Sequence, residues 1–428
     1  MDDPSSSTRD LASAARFSSR TTPPASERPE AGTGVRRYPD PMERAYFDHA
    51  ATTPLDPRVL EAMIPALQYG WGNPSGIYRE AQYAAGLLDR ARDDIAGVLQ
   101  CSPSEVVLTS GGTESDNLAI RGAALARAEA GLHLITQATE HHAVLHTMEQ
   151  LEHEGFELTV LNVDGEGFVD PEDVASAVRD DTTVVSIMLA NNEVGTVQPV
   201  ADISRAVKAR NRRTIVHSDA VQAAGAVDIR PEVLGVDLMS LTAHKIYGPK
   251  GAGALYVRRR TPLQPLQLGG GQEEERRAGT ESVAQAVGLA KALQLAEEER
   301  TQRTGHASEL RNRLWRELNE RVHPIRLNGP SDWSRRLANN LNVSLPGVEG
   351  ESILLQLDLE GFAASSGSAC STGSTEPSHV LSAMGLDPDT AHSTLRLSLG
   401  QTNTEEQIES IAGTIEDITA RLRALSPV

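Results

Sequence analysis

Lys245 lies in the run Ser240-Leu241-Thr242-Ala243-His244-Lys245-Ile246-Tyr247-Gly248-Pro249-Lys250-Gly251. Upstream, His217-Ser218-Asp219-Ala220-Val221-Gln222 closes an apolar run. A lysine just after one strand, with an acid at the end of a neighbouring strand, suits pyridoxal phosphate chemistry. The amine forms a Schiff base, and the carboxylate keeps the pyridine nitrogen protonated so that the ring accepts electrons. A lysine on its own is ordinarily a solvated surface cation; the other motifs decide between the two readings.

Ser110-Gly111-Gly112-Thr113 stands between a strand and a helix, where free N–H groups and the positive helix end suit a phosphate. The same residues also make an ordinary helix start. In Thr139-Glu140-His141-His142, a histidine after a strand could stack over the pyridine ring and move protons, or simply cap a helix. No pair among His141, His142 and His146 comes with further residues that would require a metal. Asn191-Asn192-Glu193 follows another strand and reads as a turn or as a substrate or ring contact. Asp219 and Gln222 could reach the ring nitrogen and the ring hydroxyl, and Thr242 and His244 could bind phosphate beside Lys245. Gly269-Gly270-Gly271 precedes a charged run ending in Arg276-Arg277-Ala278-Gly279-Thr280, and these glycines suggest a tight bend or a close approach.

Cys370 is flanked by small polar residues, Ser365-Ser366-Gly367-Ser368-Ala369 before it and Ser371-Thr372-Gly373-Ser374 after it. Buried structural cysteines keep bulky apolar company, whereas a loop of this composition can carry a thiolate into a site and out again. Cys101, in Leu99-Gln100-Cys101-Ser102-Pro103, reads as a passive helix-end residue. Arg396 falls in the alternating strand Ser393-Thr394-Leu395-Arg396-Leu397-Ser398, where a guanidinium could grip an amino-acid carboxylate or form a structural ion pair.

The elements that must position these groups follow from periodicity. Apolar runs at 106–109, 133–136, 158–163, 183–189, 214–217 and 237–241 read as strands. They are interspersed with helical patterns at 114–130, 142–154, 171–179 and 201–210. Such alternation indicates an α/β fold with a mainly parallel sheet covered on both faces, and functional groups gathered at the carboxyl ends of its strands. Residues 287–318 read as one long helix leading to a second, smaller domain with strands at 338–345 and 393–399. Residues 1–43, rich in Ser, Pro, Arg, Thr and Glu, are expected to be a disordered extension. The 428 residues carry a formal net charge of -19, which argues against nucleic-acid or anionic-membrane partners. No apolar run approaches the roughly 20 residues that span a bilayer. With only Cys101 and Cys370 there is no disulfide framework, and a cytoplasmic location is expected.

The ordered set Gly-Gly-Thr-Glu-Ser, Thr-Glu-His, Asn-Asn-Glu, His-Lys-Ile-Tyr-Gly-Pro-Lys-Gly and Ser-Ser-Gly-Ser-Ala-Cys resembles the cysteine desulfurases. These belong to the fold-type I, class V aminotransferase group. The match starts at Tyr46-Phe47-Asp48-His49-Ala50-Ala51-Thr52-Thr53-Pro54 and runs nearly to the C-terminus. The resemblance implies a fold-type I transferase dependent on pyridoxal 5'-phosphate. It implies a large domain, residues 52–297, on a mainly parallel seven-stranded sheet. A smaller α+β C-terminal domain, residues 44–51 and 298–428, would carry the cysteine loop. The implied reaction takes L-cysteine to L-alanine and leaves a persulfide on Cys370 for a scaffold, tRNA-modifying or carrier protein. Lys245 would hold the cofactor and shuttle protons, Asp219 would pair with the ring nitrogen, and His141 would stack on the ring. Gly112, Thr113, Thr242 and His244 would hold the phosphate, with Thr280 reaching it from the partner subunit of a homodimer. Asn192 and Gln222 would contact the ring system, and Asn192 and Arg396 would clamp the substrate carboxylate. The small-residue context of Cys370 resembles the long-loop subgroup. Rival readings are a selenocysteine or cysteine-conjugate lyase and a non-catalytic sulfur-relay paralogue.

Overall fold

The structure, a computed structural model, describes residues 44–366 and 377–425. A two-residue strand, β1 (Ala45–Tyr46), comes first. Helix α1 (Pro57–Tyr69) starts where Asp56 accepts the Arg58 N–H and Pro57 supplies a preset φ. Helix α2 (Arg79–Leu99) ends at Gln100, which takes a left-handed conformation at φ 55°.

Seven strands then build the large sheet: β2 (Val106–Thr109), β3 (His133–Gln137), β4 (Glu157–Leu161), β5 (Thr182–Ser186), β6 (Ile215–Asp219), β7 (Leu238–Thr242) and β8 (Gly253–Val257). Their order is β2-β8-β7-β6-β5-β3-β4. Strands β3 to β7 pair in parallel, while β8 is antiparallel to both β7 and β2. Every strand but the edge strand β4 is buried along its length, which parallel strands achieve only when helices cover both faces.

Those helices are α3 (Gly112–Arg127), α4 (His142–His153), α5 (Pro171–Ala177), α6 (Val200–Arg210), the single turn α7 (Pro231–Leu234) and α8 (Val283–Glu298). Alternate strand residues serve the two faces, as a period of two requires. Leu134, Val184, Ile215 and Leu238 pack with Leu118, Val144 and Met148 of α3 and α4. Their neighbours Ile135, Val185, Val216 and Met239 pack with Ile95, Ile203 and Leu289 of α2, α6 and α8.

The long helix expected over 287–318 is two helices, α8 and α9 (Arg300–Arg321). The break falls at Glu299 (φ -98°, ψ 5°), whose carboxylate binds Arg58 and Arg303. The reason for the break is packing. α8 is buried around most of its surface against the large sheet, whereas α9 buries the narrow stripe Leu310, Leu314 and Leu318 in a separate core. That core includes β9 (Arg326–Leu327), β10 (Asn340–Ser344), α10 (Gly350–Leu359), β11 (Phe362–Ala363), β12 (Thr394–Ser398) and α13 (Glu405–Leu425). Short helices α11 (His379–Ala383) and α12 (Pro388–His392) precede β12. Strands β9, β10 and β12 form an antiparallel sheet, and β1 returns from the start of the chain to pair with β11.

Past β8, Glu273, Glu274 and Glu275 all have positive φ, 48°, 55° and 64°. Left-handed backbone is unfavourable by about 1–2 kcal/mol per residue for side chains with a Cβ. The turn is held by Glu273, whose buried carboxylate pairs with Arg92 at 2.7 Å and accepts the Leu108 N–H at 2.9 Å. Glu273→Leu should therefore leave a buried N–H without its acceptor and the half-buried Arg92 guanidinium with the Val106 carbonyl in place of a carboxylate, a loss of about 1–3 kcal/mol, visible as a melting temperature several degrees lower. Glu274→Gly relieves one left-handed position at an exposed residue and should hold or raise that temperature.

Candidate active site

Because β8 runs against both β7 and β2, β2 shares the direction of β3 to β7. The carboxyl ends of six strands thus open on one side, the usual place for ligand groups in such sheets. Asp219 is the last residue of β6 and pairs in register with Ser240 of β7. Lys245 ends the single 3-10 turn that directly follows β7. His141 caps α4 after β3, and Asn192 follows β5.

A strap of small residues crosses these ends. Lys245 Nζ donates to the Ala50 and Ala51 carbonyls at 2.5 and 2.7 Å. The Gln222 amide donates to the same Ala50 carbonyl at 2.8 Å. His244 Nδ1 lies 3.2 Å from Thr52 Oγ1, and its carbonyl accepts from the Thr53 N–H and hydroxyl at 2.9 and 3.0 Å.

The Gly-Gly turn opens α3, where the first N–H groups lack partners within the helix. Gly111 has φ 155°. A Cβ on Gly112 would come within 2.7 Å of Val221, and one on Gly253 within 2.6 Å of the Gly111 backbone, so only glycine admits this approach. Thr242 Oγ1 borders the same corner, 3.7 Å from where a Cβ on Gly111 would lie, and donates to the Ala252 carbonyl at 3.2 Å. Thr113 and His141 line one cavity. Thr280 is exposed and lines another with Ser110 and Gly253.

Arg396 is buried on β12. Its guanidinium contacts Asp48 Oδ1 at 2.7 Å and donates to the Asn192 carbonyl at 3.1 Å. The two residues expected to grip a carboxylate are thus together, with the Asp48 carboxylate already on the arginine. Cys370 lies outside the described residues. The described chain before it exchanges backbone hydrogen bonds between Ser365 and Arg396. After it, Ser378 donates to Glu193 at 2.6 Å, and His379 Nε2 lies 2.9 Å from the Glu140 carbonyl.

Burial sets the electrostatics. It raises the Asp219 carboxyl to about 6, against the Val221 N–H and the Lys245 ammonium, which favour the ionised form. Burial, then Lys245, lowers His141 to about 4. Burial with Lys245 and Lys250 does the same to His244, also to about 4. His141 Nδ1 accepts the Ala143 N–H at 3.0 Å, which leaves the proton of the neutral ring on Nε2. Such a set could hold a phosphate-bearing ring between Lys245 and Asp219. Among the described residues no cluster of three or more His, Cys, Asp or Glu could hold a metal ion, and no helix is long and apolar enough to cross a membrane.

Sequence reasoning passed over the partners of these residues. Asp48, Ala50 and Ala51 entered only as part of a motif, although a run of small residues is what a strap pressed onto strand ends requires. His217, buried behind Asp219 with Asp116, is a polar residue closing an apolar run, which was the available signal; Asp116, in the polar run Thr113-Glu114-Ser115-Asp116-Asn117, gave none.

The Aminotransferase class-V family model matches residues 45–411. "Cysteine desulfurase IscS" of Clostridium botulinum is 46% identical over 386 residues, which cover 90% of this chain and 97% of that protein. A solved structure described as a NifS-like protein superposes with a TM-score of 0.83 at 39% identity, covering 88% of this chain and all of that one. "SspA in complex with cysteine" superposes with a TM-score of 0.73 at 36% identity, covering 84% and 100%.

The buried site makes a pH prediction. The His141 imidazole should stay neutral, with its proton on Nε2, as pH falls from neutrality, and titrate only near about 4. Its unfolded-state value is about 6.5, so this residue removes stability as pH falls through that interval. Lys245→Ala should move the midpoint upward, because a repelling charge is gone. Nitrogen-15 NMR of the imidazole checks both outcomes.

Proposed function

The chain belongs to the class-V aminotransferase family and is a cysteine desulfurase, and from that premise we propose that it works with pyridoxal 5'-phosphate held on Lys245 and passes sulfur from L-cysteine to Cys370. The observation that carries this reading is the half-buried Lys245 ammonium acting on the buried Asp219 carboxyl at adjacent strand ends. The residues fit the cofactor at each of its ends. The glycine-lined corner at the start of α3 suits its phosphate, and Asp219, ionised at neutral pH, suits a protonated ring nitrogen. When bound, the cofactor supplies an electron sink for the substrate.

The chain's own residues supply the rest. Lys245 Nζ, oriented by two carbonyls, holds the cofactor and moves protons to and from the substrate. His141 offers its flat neutral ring and the Nε2 proton. Arg396 and Asn192 receive the substrate carboxylate. The Cys370 thiolate donates the electron pair of a new S–S bond. The old Cβ–S pair stays with carbon, which takes up protons and leaves as alanine. SspA, similar along most of its length, is solved in complex with cysteine, which supports L-cysteine as substrate. The anchoring of Ser365 on Arg396 and of Ser378 and His379 on Glu193 and Glu140 supports a role for Cys370 at this site.

A homodimer belongs to the same reading. Leu60, Ile64 and Leu67 share one exposed face of α1, Tyr69 ends that helix at 62% exposure, and Trp71 and Ile77 follow it at 70% and 96%. A second copy covering this surface would account for so much exposed apolar area. Thr280 would then complete the partner's phosphate corner, and an acceptor protein would collect the persulfide sulfur.

Cys370→Ala should retain the visible absorbance of bound cofactor and release no alanine from L-cysteine. Normal alanine release by that variant, measured by amino-acid analysis, would refute the role given to Cys370.

A further inference from the structure

Behind Asp219 the floor of the site holds more buried acid than the reaction uses. Asp116, in the second turn of α3, is 1% exposed, and Glu140, beside His141, is 0%. His217, two residues before Asp219 on β6, is also fully buried. Its Nδ1 lies 2.8 Å from Ser186 Oγ, and its Nε2 lies 3.0 Å from Ser240 Oγ and 3.6 Å from Asp116 Oδ1. Asp116 is thus faced by Asp219 and His217 from β6, Ser240 from β7 and Glu140 from the turn before α4. Among the described residues the cation that reaches this set is Lys245, through Asp219.

Three carboxyls in a dry pocket cannot all ionise against one ammonium, since each charge raises the proton affinity of the others. Their surroundings rank them. Asp219 accepts the Val221 N–H at 2.8 Å and faces Lys245. Glu140 accepts from the Met188 N–H and the Gln137 amide through one oxygen, while its Oε2 has no hydrogen-bond partner among the described residues. Among the same residues Asp116 Oδ1 has none either. Burial, then the Asp219 charge, drives both Asp116 and Glu140 well above the ordinary carboxylate range; the Ser240 hydroxyl offsets part of this at Asp116. His217 cannot neutralise them, because burial lowers it to about 3.

We propose that Asp116 is a positioning residue that stays protonated beside Ser240 and His217, confining the negative charge of the buried floor to Asp219. The inference rests on the reading of Asp219 as partner of the ring nitrogen. A second ionised acid in this floor would compete for the ring's proton and for Lys245. A protonated Asp116 keeps a carboxyl's shape and hydrogen bonding without that charge.

The test starts with cofactor-free protein carrying carbon-13 in the aspartate side-chain carboxyls. At about pH 8, exposed aspartates are ionised, so any infrared band from a protonated aspartic acid reports a buried one. The wild type should show one such band, Asp116→Asn should abolish it, and Asp219→Asn should keep it. Absence of the band in the wild type, its survival in Asp116→Asn or its loss in Asp219→Asn would overturn the proposal. If Asp116→Asn fails to fold, the wild-type and Asp219→Asn spectra still decide. With cofactor bound, the visible absorbance of Asp116→Asn should titrate with wild-type pH dependence, because a neutral amide replaces a neutral acid. A downward shift of a full pH unit or more would mean that Asp116 had been ionised, and would also overturn it. Failure of the cofactor to attach to Lys245 would instead refute the proposed cofactor chemistry and leave the cofactor-free band as it is.

Discussion

Asp219 ends β6, and Lys245 follows β7, the strand beside it, so a buried carboxylate and a half-buried ammonium act on each other at adjacent strand ends. In low effective dielectric such an attraction is far stronger than at the surface, but so is the penalty for each charge left alone. Most of the surrounding arrangement follows from keeping that pair matched. The Val221 N–H supports the carboxylate, the Ala50 and Ala51 carbonyls support the ammonium, and both nearby imidazoles are held neutral. The acids packed behind Asp219 extend the same constraint inward, since the pocket tolerates only as much negative charge as Lys245 and a bound ring can balance.

The strap that holds Lys245 also ties the two cores together. Tyr46 pairs with Ala363, Asp48 bridges to Ser398, and Asp48 holds Arg396, while Ala50 to Thr53 lie across the ends of β6 and β7. The guanidinium suited to a substrate carboxylate and the amine suited to the cofactor are therefore fixed by one short segment. A displacement of Asp48 would be felt at both, which makes the geometry of a small substrate depend on residues far apart in the chain.

Much of this was legible in the sequence, for identifiable reasons. The strands from β2 to β7 are short apolar runs separated by amphipathic helices, a pattern that fixes a parallel sheet and puts Lys245, Asp219 and His141 at its carboxyl ends. Strand β8 escaped because Gly253-Ala254-Leu255-Tyr256-Val257 opens on two small residues and follows a glycine-rich turn, so its apolar signal is weak. The break at Glu299 escaped because helical periodicity continues across it; only the two different cores reveal it. The Asp48–Arg396 pair spans 348 positions, and no local pattern announces a contact of that separation. Asp116 and Glu140 looked like ordinary polar residues near a helix start, because burial is a property of the folded chain.

The sequence contains four lysines, Lys208, Lys245, Lys250 and Lys291, and the account assigns the cofactor to one of them. Lys208 is engaged by the Thr214 carbonyl and Asp237, away from the strand ends that gather Lys245, Asp219 and His141. Borohydride reduction of cofactor-loaded protein, followed by digestion and mass spectrometry, locates the attachment. The account predicts a single pyridoxyl adduct, on Lys245. An adduct on Lys208, Lys250 or Lys291 with Lys245 unmodified would contradict it.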